Sequence, residues 1–183
     1  MTVFEYVMVL TSILIGLGIA ELLSGIVRIL RSDFKENIFV PQLLWAMFIF
    51  LYILLIWWSR WDLRGSIDWN FIQLLLSLIG PIIMYILAGL IFPHHQPAKV
   101  HFYKQRKVFF FLLMLSFSIS LSHELIIEKT PLISLATLFL AILLGMVTWA
   151  IFSKKESIHI ILALVCLSLV LIFIFLTTYV LYA

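Results

Sequence analysis

Charged residues are scarce in this sequence. Only 11% of its 183 residues are Asp, Glu, Lys or Arg, and 64% are hydrophobic, whereas soluble domains carry about 25% charged and about 45–50% apolar residues. This composition excludes a soluble enzyme and a disordered tail. The formal net charge is only +3, and the basic residues lie in short segments between apolar runs, which excludes a nucleic-acid-binding domain.

Cysteines and the short motifs of known enzymes are also missing. Cys166 is the single cysteine, so disulfide frameworks and cysteine-based zinc sites within one chain are excluded. The sequence contains no Gly-x-Ser-x-Gly, His-Glu-x-x-His, Cys-x-x-Cys or Walker lysine motif. We therefore expect a protein that is not an enzyme and that holds neither a metal nor a cofactor.

Six long apolar runs make up most of the chain. A spanning helix needs about 20 mostly apolar residues, and six segments meet this requirement: about 4–30, 41–61, 69–92, 107–127, 131–152 and 154–182. No basic segment precedes the first run, and we interpret that run as a retained helix and not as a cleaved signal peptide. The sequence predicts an all-α membrane protein in which residues 1–183 form one bundle of six transmembrane helices with short loops.

The basic residues predict the orientation of this bundle. Of the 12 Lys and Arg residues, nine follow the first, third and fifth runs: Arg28, Arg31, Lys35, Lys99, Lys104, Arg106, Lys107, Lys154 and Lys155. Because cytoplasmic loops carry the excess of Lys and Arg, we expect both termini outside the cytoplasm. In outline the chain resembles small polytopic proteins of bacterial inner membranes, so we expect it in the bacterial cytoplasmic membrane.

Small residues and one acid distinguish the first run. Four small residues recur every four positions and form a stripe on which another helix could pack closely: Ser12, Gly16, Ala20 and Ser24. Packing within the protein and contact between subunits both fit this stripe. Glu21 lies inside the same run, with Arg28 two turns further along the same face. A structural pair and a role of Glu21 in transport fit the sequence equally well, since an acid inside the membrane is a candidate functional group.

Two later runs contain further candidates. In the fourth run, three- and four-residue spacings predict one shared polar face for Ser116, Ser120, His123 and Glu124. His beside Glu could handle protons, because imidazole titrates near neutral pH; a cap exposed to outer water is the alternative. In the third run, Gly80 and Pro81 predict a kink, because Pro81 lacks the N–H that a helix interior needs.

Two functions from different classes are consistent with these features. The first is permeation of an ion, a proton or a small solute by a homo-oligomer, with Glu21 as its polar switch, Arg28 as the partner of Glu21 and the kink as the flexible element. The alternative is an accessory or scaffold subunit that docks a membrane or soluble partner protein and transports nothing itself. Both interpretations place the chain in a lipid bilayer, and neither involves nucleic acid.

Overall fold

The described residues form six helices. The computed structural model describes residues 2–31, 38–60, 71–93, 96–127 and 130–177. The helices are α1 (Val3–Arg31), α2 (Val40–Ser59), α3 (Phe71–Ile91), α4 (Ala98–Ser122), α5 (Leu135–Phe152) and α6 (Glu156–Phe175), and a π-helical turn (His123–Ile127) continues α4. Six helices are long and apolar enough to cross a membrane, and the described ranges contain no strand. The predicted fold class, an all-α bundle of six membrane helices, is confirmed.

Three predicted helix starts are wrong. The structure begins α4 at Ala98 and not at residue 107, because the basic segment is itself amphipathic and buries Ala98, Phe102 and Arg106 at four-residue spacing. The structure begins α5 at Leu135 and not at residue 131. The hydroxyl of Ser134, the residue before Leu135, caps the helix by accepting a hydrogen bond from the Thr137 amide at 3.0 Å. The last helix, α6, begins two residues later than predicted. The predicted boundaries at residues 61, 69 and 182 lie outside the described residues.

The exterior of the bundle is apolar. Large hydrophobic side chains are more than half exposed on its surface, among them Phe71, Ile133, Trp149 and Phe152. Exposed apolar area on this scale is unfavourable in water and suits contact with lipid. The chain is therefore an integral membrane protein.

Contacts between helix termini fix the arrangement of the ends. The start of α2 meets the end of α3, where the Gln42 side-chain amide donates to the Ile91 carbonyl. The starts of α4 and α6 meet in a salt bridge of 2.8 Å between Lys99 and Glu156. We call the end where α2, α4 and α6 begin the inner end and the opposite end the outer end, after the predicted orientation.

The second helix is the most enclosed element. It packs against α1, α3, α4 and α6, whereas α1 packs against α3 and α2 at one side of the bundle. Where α2 faces α4, large aromatic side chains are almost fully buried: Trp45, Phe48, Tyr52, Phe110 and Phe117. This α2–α4 interface is the aromatic centre of the bundle.

Candidate functional site

Glycines bring α1 and α3 close together. A Cβ added at Gly18 would lie 3.6 Å from the Cα of Tyr85, and one added at Gly25 would lie 1.9 Å from Cδ2 of Phe92. The Phe92 ring therefore lies directly on the backbone of α1. The face of α1 that packs against the bundle contains these two glycines and not the four-residue stripe.

The small-residue stripe lies on the exterior of α1. All four of its members, Ser12, Gly16, Ala20 and Ser24, are exposed, and a Cβ at Gly16 would meet nothing within 4 Å. At the outer end, the Ser12 hydroxyl accepts a hydrogen bond from Nε1 of Trp57 at 3.1 Å. Among the described residues, no helix packs on Gly16, Ala20 and Ser24, and contact between subunits stays a prediction.

The structure brings Glu21 and Arg28 together at the edge of the α1–α3 interface. Nη2 of Arg28 lies 3.6 Å from Oε1 of Glu21, with the two side chains 37% and 30% exposed. Across the interface, a Cβ at Gly89 of α3 would lie 3.9 Å from Cγ of Glu21. The pair is therefore half-exposed on one side of the bundle, away from its aromatic centre. The transport role of Glu21 stays a prediction.

A polar network occupies the outer part of the α2–α4 interface. Tyr52 of α2 is 2% exposed, and its hydroxyl lies close to the side chain of Ser120 of α4. Tyr52 also lies within electrostatic range of Arg60 and Glu124. The Thr130 hydroxyl donates to the backbone carbonyl of Glu124 at 2.8 Å and lies 3.4 Å from its Oε2. Two predicted site residues, Ser120 and Glu124, thus lie near three that were not among the predicted site residues: Tyr52, Arg60 and Thr130.

Arg60 extends from the end of α2 toward the predicted kink. Its Nη2 lies 3.8 Å from the position of a Cβ on Gly80. α3 continues through Pro81 as one helix, but proline has no N–H to donate to the carbonyl of Ser77 four residues earlier. The guanidinium therefore lies beside the point where the hydrogen-bond ladder of α3 is interrupted.

Two buried hydroxyls lie toward the same end of the bundle as this network. Thr11 is 0% exposed and Ser116 is 1% exposed, and neither side-chain oxygen has a hydrogen-bond partner among the described residues. Ser116 lies one turn inward from Ser120 on α4. We call the whole set the outer cluster: Thr11, Tyr52, Arg60, Ser116, Ser120 and Glu124.

The depth of Thr11 follows from the helix contacts. The Gly18 position of α1 contacts Ile53 of α2. Thr11 and Arg60 each lie seven residues, or about 10 Å, toward the outer end from that contact. Thr11 is therefore at the same depth as Arg60.

His123, the remaining predicted candidate, lies in the π-helical turn. Its side chain is half-buried beside Glu124 in sequence. π-helical turns are rare and frequently occur at functional sites. The turn places His123 and Glu124 together at the outer end of α4.

A second polar group at the inner end was missed by the sequence analysis. Arg106 of α4 and His159 of α6 share one acceptor, the carbonyl of Ser153: Arg106 Nη1 donates to it, and His159 Nε2 lies 3.1 Å from it. Arg106 is 5% exposed and His159 is 0% exposed. The prediction of Arg106 in a loop is wrong because α4 begins at Ala98. The four-residue spacing of Ala98, Phe102 and Arg106 was the signal that could have identified it.

Aromatic contacts connect this group to α2. The His159 ring stacks on Phe110 at a centroid distance of 5.4 Å, and Phe110 meets the Trp45 ring edge-on at 4.8 Å. We call four residues at this end the inner cluster: Gln42, Trp45, Arg106 and His159. Each of them has one buried polar atom without a hydrogen-bond partner among the described residues. These atoms are Oε1 of Gln42, Nε1 of Trp45, Nε of Arg106 and Nδ1 of His159.

An aromatic layer separates the two clusters. Phe117 contacts Tyr52 at 5.0 Å between ring centroids, and Phe48 contacts both Tyr52 at 5.8 Å and Trp45 at 5.6 Å. Phe48, Phe117 and Leu113 are 0% exposed. The α2–α4 interface therefore has polar groups toward both ends and a packed apolar barrier between them.

Within the described ranges, no group of three or more His, Cys, Asp or Glu residues could hold a metal ion. No family model matches the chain, and no curated protein or solved structure shows significant similarity to it. The functional argument therefore rests on the geometry of the two clusters.

Proposed function

We propose that this protein conducts a small ion or polar solute across the membrane along the α2–α4 interface. The observation that carries the proposal is the polar network at the outer end of the α2–α4 interface, in which the buried Tyr52 lies close to Ser120 and within electrostatic range of the half-buried Arg60 and Glu124. Replacing buried charged groups by apolar ones is often neutral or stabilising, so stability alone does not require them. Ionisable groups that face a bundle interior mark ion and substrate pathways in membrane proteins.

The layout along the interface supports the same function. In this proposal, the outer and inner clusters are the two entrances, and the layer of Phe48, Leu113 and Phe117 is a closed gate. Hydrophobic constrictions close channels because they exclude water from the pathway. The protein needs no catalytic step for this function and is not an enzyme in this proposal.

A single hydroxyl tests the outer cluster. Tyr52→Phe removes the buried oxygen and keeps the ring that packs against Phe48 and Phe117. We expect the fluxes of potassium, protons or chloride into liposomes, measured at matched incorporation, to fall several-fold. Tyr85→Phe is the matched control, because Tyr85 is 43% exposed on α3 and loses the same atom away from the interface. Wild-type flux no higher than that of empty liposomes would overturn the proposal, and equal loss in both variants would remove the pathway from the outer cluster.

One observation favours a second candidate function, lateral assembly through α1. Gly16, Ala20 and Ser24 lie exposed on a helix that packs on one side only. Small residues allow close helix approach in lipid, where no hydrophobic force between helices exists. In this alternative the protein is an accessory or scaffold subunit, and α1 docks another membrane helix.

Two glycines allow a matched test of assembly. A Cβ at Gly16 of α1 or at Gly145 of α5 would meet nothing within 4 Å, so leucine fits at both positions within one chain. We expect Gly16→Leu to abolish cross-linking or co-purification of a partner from native membranes and Gly145→Leu to retain it. The reverse result would move the docking face to α5, and retention in both variants would exclude the stripe.

A further inference from the structure

The inner cluster contains a buried positive charge without a carboxylate beside it. Arg106 is 5% exposed, and a guanidinium stays protonated in proteins. Its hydrogen bond goes to the neutral carbonyl of Ser153, and no described carboxylate lies within ion-pair distance of it. Glu156, a described acid at this end of the bundle, is paired with Lys99 at 2.8 Å. A buried charge without a partner is costly, and a bound anion would offset that cost.

The hydrogen-bonding atoms of the inner cluster also favour an anion. Nε–H of Arg106 and Nε1–H of Trp45 are buried donors without acceptors among the described residues, and neither group can accept a hydrogen bond. His159 donates through Nε2 to the carbonyl of Ser153, because a carbonyl oxygen can only accept a hydrogen bond. The unpartnered acceptors of the cluster are Oε1 of Gln42 and Nδ1 of His159. Both belong to uncharged side chains when His159 is neutral. The charge of the cluster is therefore positive.

We infer that the conducted species is a small inorganic anion and that Arg106 binds it at the inner end. This inference rests on the proposed function and deepens it by naming the substrate class. Arg106 is the buried ionised group at the inner end of this pathway among the described residues, and its charge is positive. Positively charged side chains along a pore select for anions.

Selectivity of the wild-type protein is the first test. Purified protein is incorporated into planar bilayers of phosphatidylcholine, and the reversal potential is measured under a potassium chloride gradient. We expect a value close to the chloride equilibrium potential. A value close to the potassium or proton equilibrium potential would overturn the inference that an anion is conducted and leave the conduction proposal intact. Absence of any current would overturn both.

Substitutions on α4 then locate the site. Arg106→Gln should lower the chloride-to-potassium permeability ratio about tenfold, because it removes a full charge at short range, whereas Arg106→Lys keeps the charge and most of the ratio. Lys107→Gln is the matched control, since Lys107 is the next residue and is exposed; its ratio should equal that of the wild type. An unchanged ratio in a monodisperse Arg106→Gln protein would overturn the assignment.

A milder variant covers the case in which Arg106→Gln does not fold. Trp45→Phe removes the Nε1–H donor and leaves an aromatic ring against Phe110. We expect the chloride conductance to fall about threefold, as for the loss of one neutral hydrogen bond. Chloride conductance equal to that of the wild type would overturn the inner cluster as the anion site.

The phosphate of an anionic lipid has the same charge and acceptor chemistry as a free oxyanion. Bilayers with and without phosphatidylglycerol distinguish the two sources. Chloride selectivity that is already complete in phosphatidylcholine supports the free anion. Selectivity or thermal stability that depends on phosphatidylglycerol in the wild type, and not in Arg106→Gln, would assign Arg106 to the lipid and overturn the inference.

Discussion

The α1–α3 interface and the α2–α4 interface are built in opposite ways. The first depends on glycines, because Gly18 and Gly25 have no side chains and let α1 approach the backbone of Tyr85 and the ring of Phe92. The second is formed by the largest side chains in the bundle, and polar groups lie on both sides of them. At the edge of the first interface, Arg28 also has two buried nitrogens without a hydrogen-bond partner among the described residues, whereas the second has unpartnered polar atoms toward both of its ends, with an aromatic layer between them. In our proposal, the α1–α3 interface stabilises the bundle and the α2–α4 interface forms the pathway.

The largest expected effect is the loss of the α1–α3 interface. Gly25→Ala places a Cβ where the nearest ring atom of Phe92 is 1.9 Å away, so the ring or the helix must move. We expect a loss of about 2–3 kcal/mol in the free energy of unfolding, measured by denaturation in detergent, with flux per folded molecule unchanged.

Gly16→Ala is the control for this substitution. Nothing lies within 4 Å of the added Cβ at Gly16, so its stability should equal or slightly exceed that of the wild type because alanine favours the helix. Phe92→Leu should restore part of the stability of Gly25→Ala by removing the ring. A Gly25→Ala protein as stable as the wild type would show that the helices are not in close contact.

The next effect concerns the gate at the α2–α4 interface. Phe117→Ala removes a ring that is 0% exposed and that contacts Tyr52 and Phe48. We expect a loss of about 2 kcal/mol, less than in a soluble core because lipid is as apolar as the interior. Flux should rise, because the substitution opens the barrier. Stability is followed by denaturation and flux in liposomes.

Phe111→Ala is the matched control on the same helix. Phe111 is 53% exposed on the lipid-facing side of α4, so neither stability nor flux should change much. A loss of stability in Phe117→Ala without any rise in flux would give the aromatic layer a structural role alone.

The fold was predictable from the sequence, and so were the starts of α1 and α2 to within one residue, but the start of α4 was not. Apolar runs of about 20 residues are unambiguous, since each unpaired backbone group in lipid costs several kcal/mol. The start of α4 was mislocated because lysines were taken as evidence of a loop. Lys104 and Lys107 in fact lie on the exposed side of a helix that buries Phe102 and Arg106.

The candidate sites were predictable only within single helices. Spacing of three and four residues grouped Ser120 with Glu124, and the structure places both near Tyr52. No local pattern could pair Arg106 with His159, because their shared acceptor is the carbonyl of Ser153 on another segment. Contacts between helices depend on which faces meet, and that information is not in the periodicity of one run.

The smallest expected effect separates the sequence prediction from the structural proposal. The permeation hypothesis drawn from the sequence makes Glu21 the control point of flux, whereas the structure places it at the edge of the α1–α3 interface, half-exposed and paired with Arg28 at 3.6 Å. If conduction follows the α2–α4 interface, Glu21→Gln should cost less than about 1 kcal/mol, as for other exposed ion pairs, and should leave flux and ion selectivity unchanged. Liposome flux of Glu21→Gln beside Tyr52→Phe at matched incorporation measures both. Loss of flux in Glu21→Gln with normal flux in Tyr52→Phe would move the pathway to the exterior side of α1. A pathway along the exposed small-residue stripe would need a second subunit to enclose it.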